Sequence, residues 1–261
     1  MKSKIILIFL SFALLTFGCS TSNLKMSKSS LLSMDQMKNE IYYSCISAIW
    51  LTTYEQLGLK QDGSLKVYLN DKMNKSFNVG KINIGNYTLN PDSGNHYNSS
   101  RFDPLAPIKS TDIIGMAGTQ IPISIEGNET LGIKSISTNI YSPAMIKILT
   151  PAKGRREIIK GQDIDLTWIP DKGGKTMILE LQADYNPYHK SKDSLDHFNT
   201  TVEDNGHCTI PWSILNQFNQ KRTLKITLYR YNKSIVKTSD KKIAIVAYSR
   251  YFIGAYTYAI Q

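Results

Sequence analysis

The run Ile164-Asp165-Leu166-Thr167-Trp168 alternates apolar and polar residues without a break. A period of two places Ile164, Leu166 and Trp168 on one face of an extended strand, whereas a helix would scatter them. The same alternation recurs in Leu65/Val67/Leu69, Ile121/Ile123/Ile125, Met177/Leu179/Leu181 and Leu224/Ile226/Leu228. Turn-forming groups punctuate the chain between these runs: Asp62-Gly63, Gly85-Asn86, Asp92-Ser93-Gly94, Lys160-Gly161 and Asp171-Lys172-Gly173-Gly174. Gly85-Asn86 suits a two-residue hairpin connection. The pattern predicts an all-β chain. The abundance of tyrosine, at 15 residues, fits strands better than long helices.

The N-terminal half is expected to hold strands over 46–54 and 64–69, a strand pair within 77–89, a long loop over 91–107, and strands over 120–126 and 132–140. Residues 34–56 are compatible with a helix or a strand, with strand favoured over 46–54. The second half reads as strands over 146–149, 158–159, 164–168, 177–181, 206–210, 224–228 and 243–248, with a loop over 184–205 and a helical turn within 211–218. About seven short strands over about 105 residues is the pattern of an immunoglobulin-like sandwich. No Cys–Trp–Cys spacing accompanies it, so Trp168 is expected to be core packing. With hydrophobic residues at 41% the chain has enough apolar surface for two cores. The expected organisation is two β-sandwich domains in tandem, over 34–143 and 144–261.

Ahead of these lies a different kind of segment. Lys2 and Lys4 precede an apolar run over 5–15, and Thr16-Phe17-Gly18 leads into Cys19. A basic start, a short apolar core and a small residue before a cut site define a secretory signal. The apolar run is well short of the roughly 20 residues that span a bilayer. Gly18-Cys19 after a Leu-rich core resembles the lipobox of bacterial lipoproteins, although Leu15 stands one place earlier than usual. That resemblance implies cleavage of 1–18, lipid on the Cys19 sulfur and membrane attachment through it. Residues 19–33, rich in Ser, Lys and Asn, read as a tether. The six residues after Cys19 contain no acid. Some exported lipoproteins carry acids there as a surface-sorting signal, so a periplasm-facing place on the outer membrane is favoured over the cell surface.

A second resemblance rests on structural motifs. Ile148-Leu149-Thr150-Pro151, Ile159-Lys160-Gly161-Gln162-Asp163-Ile164 and Leu166-Thr167-Trp168 look like the opening of Ig-like modules in secreted envelope proteins. The stretches 204–211 and 224–230 are similar to the later part of such modules. Upstream, 80–85 with Leu89 and Tyr97 resembles the first domain of two-domain lipoproteins from Bacteroidota-type bacteria. Most of that family is uncharacterised. It implies fold and compartment, and no reaction.

The formal charge is +10. It is unevenly spread: 20–143 has 11 basic and 10 acidic residues, while 144–261 has 18 and 11. A basic half suits anionic partners such as polysaccharide or lipid head groups, or is simply a solvated lysine-rich surface. No nucleic-acid motif accompanies it, and no nucleic-acid partner is expected.

Signatures of catalysis are missing: no Gly-x-Ser-x-Gly, His-Glu-x-x-His, phosphate-binding glycine loop or Cys-x-x-Cys occurs. No cofactor is expected, and no metal. His189, His197 and His207 lie near Asp184, Asp193, Asp196 and Cys208, but in no zinc-site spacing. A hydrolase built from 184–208 therefore stays a distant alternative. Asp163 and Asp165 share one strand face, as a glycosidase pair or as an ordinary polar outer surface. Tyr185, Tyr188 and His189 in the long loop are the candidate ligand-binding set, since flat rings beside amides suit sugar faces. The partner expected is thus the membrane through the lipid, together with a glycan or another envelope protein. Cys45 and Cys208 either form a disulfide in an oxidising compartment or stay small buried hydrophobes.

Overall fold

The computed structural model describes residues 47–56, 60–69, 76–97, 108–151, 157–174, 176–184, 195–218, 223–238 and 241–259. The fold is all-β. In chain order the strands are β1 (Ser47–Gln56), β2 (Lys60–Leu69), β3 (Ile82–Ile84), β4 (Tyr87–Leu89), β5 (Thr119–Ile125), β6 (Ile136–Ser142) and β7 (Ile148–Thr150). Then follow β8 (Glu157–Ile158), β9 (Ile164–Trp168), β10 (Thr176–Ala183), β11 (His197–Glu203), β12 (His207–Ile210), β13 (Leu224–Thr238) and β14 (Lys241–Tyr258). Among the described residues two short α-helices, α1 (Ser110–Gly115) and α2 (Trp212–Leu215), interrupt them.

One large sheet, ordered β11-β10-β13-β14-β1-β2 with β8 added to the end of β14, runs through both halves. Two smaller sheets, β12-β9-β7 and β4-β3-β5-β6, hold the other described strands. β1 lies parallel to β14, pairing Ser47 with Ile243 through Gln56 with Phe252. The N-terminal strand of the described chain is therefore zipped to the last one. The pairing crosses the sequence boundary expected at 143/144.

The hairpin β13–β14 makes this sharing possible. Alternation predicts two short strands here, over 224–228 and 243–248, but they extend to 15 and 18 residues. At ~3.3 Å per residue, β14 spans about 60 Å, enough to serve two cores end to end. Near its start, Ile243, Ile245 and Ala247 join Ile49, Leu51 and Leu65 against the isoleucines of the four-stranded sheet, Ile82, Ile84, Ile121, Ile123, Ile125 and Ile140. Near its end, Tyr251, Ile253 and Tyr256 join Leu179 and Leu181 of β10 in a second core. Ile226 and Leu228, two apart on β13, point into the same core together, against Leu166, Trp168 and Ile210 of the three-stranded sheet. Each small sheet thus lies over one end of the large one.

Several expected elements hold. Gly85-Asn86 closes the β3–β4 hairpin between Ile84 and Tyr87, with Gly85 at φ 58, the sign a tight two-residue turn needs at its first position. Asp171-Lys172-Gly173-Gly174 turns the chain, and Met177, Leu179 and Leu181 face inward. Two expectations fail. Asp62-Gly63 is not a turn but lies inside β2, opposite Tyr54 and Thr53. Glycine is needed there because α1 packs onto it: a Cβ would sit 2.6 Å from the Ser110 carbonyl oxygen and 2.7 Å from the Ile113 Cβ. The loop expected over 184–205 contains β11, whose Asn-Thr-Thr centre hides a strand because an edge strand buries only part of one face.

Candidate functional site

The boundary between the two cores is polar and buried. Along β13 the inward positions run Leu224, Ile226, Leu228 and then Arg230, which is 1% exposed. Arg230 has five N–H donors, and all five are used. Nε donates to Asp204 Oδ2 at 2.7 Å, and Nη2 to Asp204 Oδ1 at 3.0 Å and the Ile169 carbonyl at 2.5 Å. Nη1 donates to the carbonyls of Ala144 and Met145 at 3.2 and 3.4 Å. Asp204 Oδ1 also accepts the Trp168 indole N–H at 2.7 Å.

Asp171 extends the network into the connection between the halves. Its Oδ1 accepts the Tyr141 hydroxyl at 2.5 Å and its Oδ2 the Ala144 backbone N–H at 2.9 Å. Burial, reinforced by Asp171, pushes the Tyr141 hydroxyl up to about 12, so it stays protonated and donates. Asn232 Nδ2 holds the Tyr141 carbonyl at 2.9 Å. Residues 141–145 are thereby fastened to β13 and to the β9–β10 turn. This is a clasp of satisfied groups, with no donor of Arg230 left over for a ligand.

A groove of about 390 Å³ opens where β7, β8, β9 and β14 meet, lined among others by Thr150, Glu157, Gln162, Asp163, Asp165 and Tyr256. The structure brings Asp163 and Asp165 together here, as their spacing predicts. Each already supports the fold with one oxygen. Asp163 Oδ1 accepts the Trp212 N–H at the start of α2 at 2.7 Å, and Asp165 Oδ1 accepts the Thr209 hydroxyl at 2.6 Å. His207 Nε2 stands 3.7 Å from Asp165 Oδ1.

On the other face of the large sheet, Glu180 joins three strands. Its Oε1 lies 2.8 Å from His197 Nε2, and its Oε2 accepts the Tyr229 hydroxyl at 2.5 Å. The Arg250 guanidinium lies over the Tyr229 ring at 5.5 Å. Burial alone would raise the Glu180 carboxyl, but the bonds from His197 and Tyr229 and the charges of His197 and Arg250 hold it below its ordinary value. Burial drives the Tyr229 hydroxyl the other way, upward.

The residues singled out from sequence meet different fates. Cys19, Cys45, Tyr185, Tyr188 and His189 lie outside the described residues. Cys208 is a buried free thiol in the second core, and burial, with Asp165 nearby, pushes it up to about 12. A thiol so protonated is a packing group and a poor nucleophile. The described members of the 184–208 histidine and aspartate set do not converge. His197 holds Glu180, His207 faces Asp165, and Asp184 pairs with Lys225 at 2.5 Å. Among the described residues no group of three side chains can hold a metal. No sequence motif announces the clasp, although one signal is present: an arginine continuing the inward register of Leu224, Ile226 and Leu228. No protein-family model and no curated protein matches the chain.

Proposed function

We propose that the chain is a lipid-anchored cell-envelope protein with a non-catalytic role, as a binding or structural accessory on the outer membrane. The observation that carries this reading is the N-terminal sequence, a basic start, a short apolar run and Gly18-Cys19, followed by a polar tether. The body fits the role. Its charged clusters brace strands: Arg230 and Asp204 clasp the two cores, Glu180 ties β10 to β11 and β13, and Asp163 caps α2. We read the 144–261 half as an immunoglobulin-like module on the strength of its strand spacing. Attachment in this reading is through the lipid on Cys19; no described helix is long and apolar enough to cross a membrane.

Labelling with a radioactive fatty acid, followed by membrane fractionation, tests the anchor. The native chain takes up label and sediments with membranes, while Cys19→Ala loses both. Equal label and equal retention in the two chains overturn the reading.

A second reading, carbohydrate binding, is favoured by the groove beside β9. Two carboxylates and the Gln162 amide on one wall are the groups that hydrogen-bond sugar hydroxyls. Glycan-array binding that is lost in Asp163→Asn and Asp165→Asn supports it, and binding unchanged in both removes the groove as a sugar site.

A further inference from the structure

The two edges of the large sheet are finished differently. At one edge β2 is covered. Its Gly63 N–H donates to Ser110 Oγ of α1 at 2.8 Å, Ser110 Oγ donates to Asp62 Oδ1 at 2.8 Å, and the Leu69 carbonyl accepts the Phe77 N–H at 2.9 Å. At the other edge β11 has β10 on one side and no strand on the other among the described residues. An exposed strand edge is normally blunted by lysine, proline, a bulge or a covering element. The sequence of β11, His-Phe-Asn-Thr-Thr-Val-Glu, has neither lysine nor proline, and its seven pairs with β10 run without a register shift.

The hydrogen-bond parity shows which backbone groups face outward. The Ala183 N–H donates to the Asp196 carbonyl, so even-numbered residues of this strand turn their backbone toward β10. The Leu195 N–H turns the opposite way, to the Gln217 carbonyl, which covers the edge just before β11 begins. Alternation then points the N–H and C=O of Asn199, Thr201 and Glu203 away from the sheet.

We propose that β11 pairs antiparallel with β11 of a second copy of this chain, about a two-fold axis at Thr200, joining two large sheets into one. The strand is self-complementary in that register. Thr200 meets Thr200, Asn199 meets Thr201, Phe198 meets Val202, and His197 meets Glu203. A threonine pair, an aromatic with a β-branched residue, and an imidazole with a carboxylate are favourable cross-strand partners. The side chains also match by burial: Phe198 and Val202 both face the second core, while Asn199, Thr201 and Glu203 share the opposite face. A two-fold axis makes every contact off the Thr200 axis occur twice and closes the assembly at two copies. A foreign strand has no such reason to match this register.

Sedimentation of the full chain, with cysteine cross-linking, tests the pairing. The native chain is expected to run as a dimer at tens of micromolar. Thr201→Pro deletes an outward N–H without touching the β10 ladder, and is expected to weaken the dimer at least about tenfold with an unchanged circular dichroism spectrum. Thr200→Cys places two sulfurs across a non-hydrogen-bonded pair, where Cα atoms are about 4.5 Å apart, within disulfide reach. It is expected to form a covalent dimer beyond the native chain's own level, while Phe198→Cys, far from its symmetry mate, is not. A monomeric native chain, a dimer in which Thr200→Cys fails to cross-link, or capture of a different protein on a monomeric β11 would each overturn the proposal. If Thr201→Pro misfolds, the cross-linking pair decides alone.

Discussion

Both cores are mainly isoleucine, valine and leucine, but the one under the β1–β2 end of the large sheet adds two buried aromatic residues, Phe77 and Tyr97, whereas the one under the β10–β11 end adds four, Trp168, Phe218, Tyr251 and Tyr256. The first joins strands distant in sequence, and β-branched side chains pack flat between pleated sheets. The second abuts the polar clasp, and aromatic residues with polar tips can fill space while reaching a partner. Trp168 does so through Asp204, and Tyr258 at the periphery through the Leu215 carbonyl at 2.6 Å. A sheet shared by two cores needs a place where one ends and the other begins. Here that place is a row of buried polar residues across the inner face, Arg230, Ser249 and Thr53, which are paired neighbours in register.

Removing the clasp should have the largest effect on both cores. Arg230→Ala leaves Asp204 charged and buried without its guanidinium, which costs about 3–5 kcal/mol in such pairs. Urea denaturation should show this loss, and replacing both partners with apolar residues (Arg230→Met with Asp204→Leu) should recover only part of it, because the Trp168 indole N–H and the Ile169 carbonyl lose the partners they have in the clasp. A single variant within about 1 kcal/mol of native would show that the clasp is incidental.

A smaller loss, confined in origin to the aliphatic end, is expected from Gly63→Ala. The added methyl meets backbone at Ser110 and must displace α1, an overpacking penalty of about 1–3 kcal/mol. Thermal unfolding measures it; an unchanged melting temperature would mean that α1 does not press on β2.

The smallest effect belongs to Glu180, at the aromatic end but on the outer face. Its carboxyl lies below the ordinary value in the folded chain, so the folded state favours the ionised form. That contribution is present above the unfolded value of 4.5 and is lost as pH falls through the lowered folded one. Glu180→Gln should therefore flatten the acid limb of the stability curve below about pH 4.5 and cost under about 1 kcal/mol at neutral pH. An acid limb identical in the two chains would show that Glu180 contributes nothing to it.

Much of this architecture is legible in the sequence, because alternation reports burial on one face directly. Ile164/Leu166/Trp168 and Met177/Leu179/Leu181 are inward as their period requires. Alternation fails where both faces or neither are buried. The run 243–247 is buried throughout, so the sequence marks a strand without revealing that β1 lies beside it. β11 buries little, so its polar centre imitates a loop. Asp62-Gly63 imitates a turn, but its glycine is required by a helix packed from 47 residues away. For the candidate sites, strand parity places Asp163 and Asp165 together correctly. The partners of Arg230 come from three separate stretches, which no local pattern connects.

Because the β13–β14 hairpin and its clasp serve both cores, the two are expected to unfold as one cooperative unit. Urea unfolding followed by methyl NMR tests it most directly, with Ile123 reporting on the aliphatic core and Leu179 on the aromatic one. Coincident midpoints in the native chain, moving together in Gly63→Ala, are the predicted result. Separate midpoints, or a Gly63→Ala shift seen at Ile123 and absent at Leu179, would contradict it.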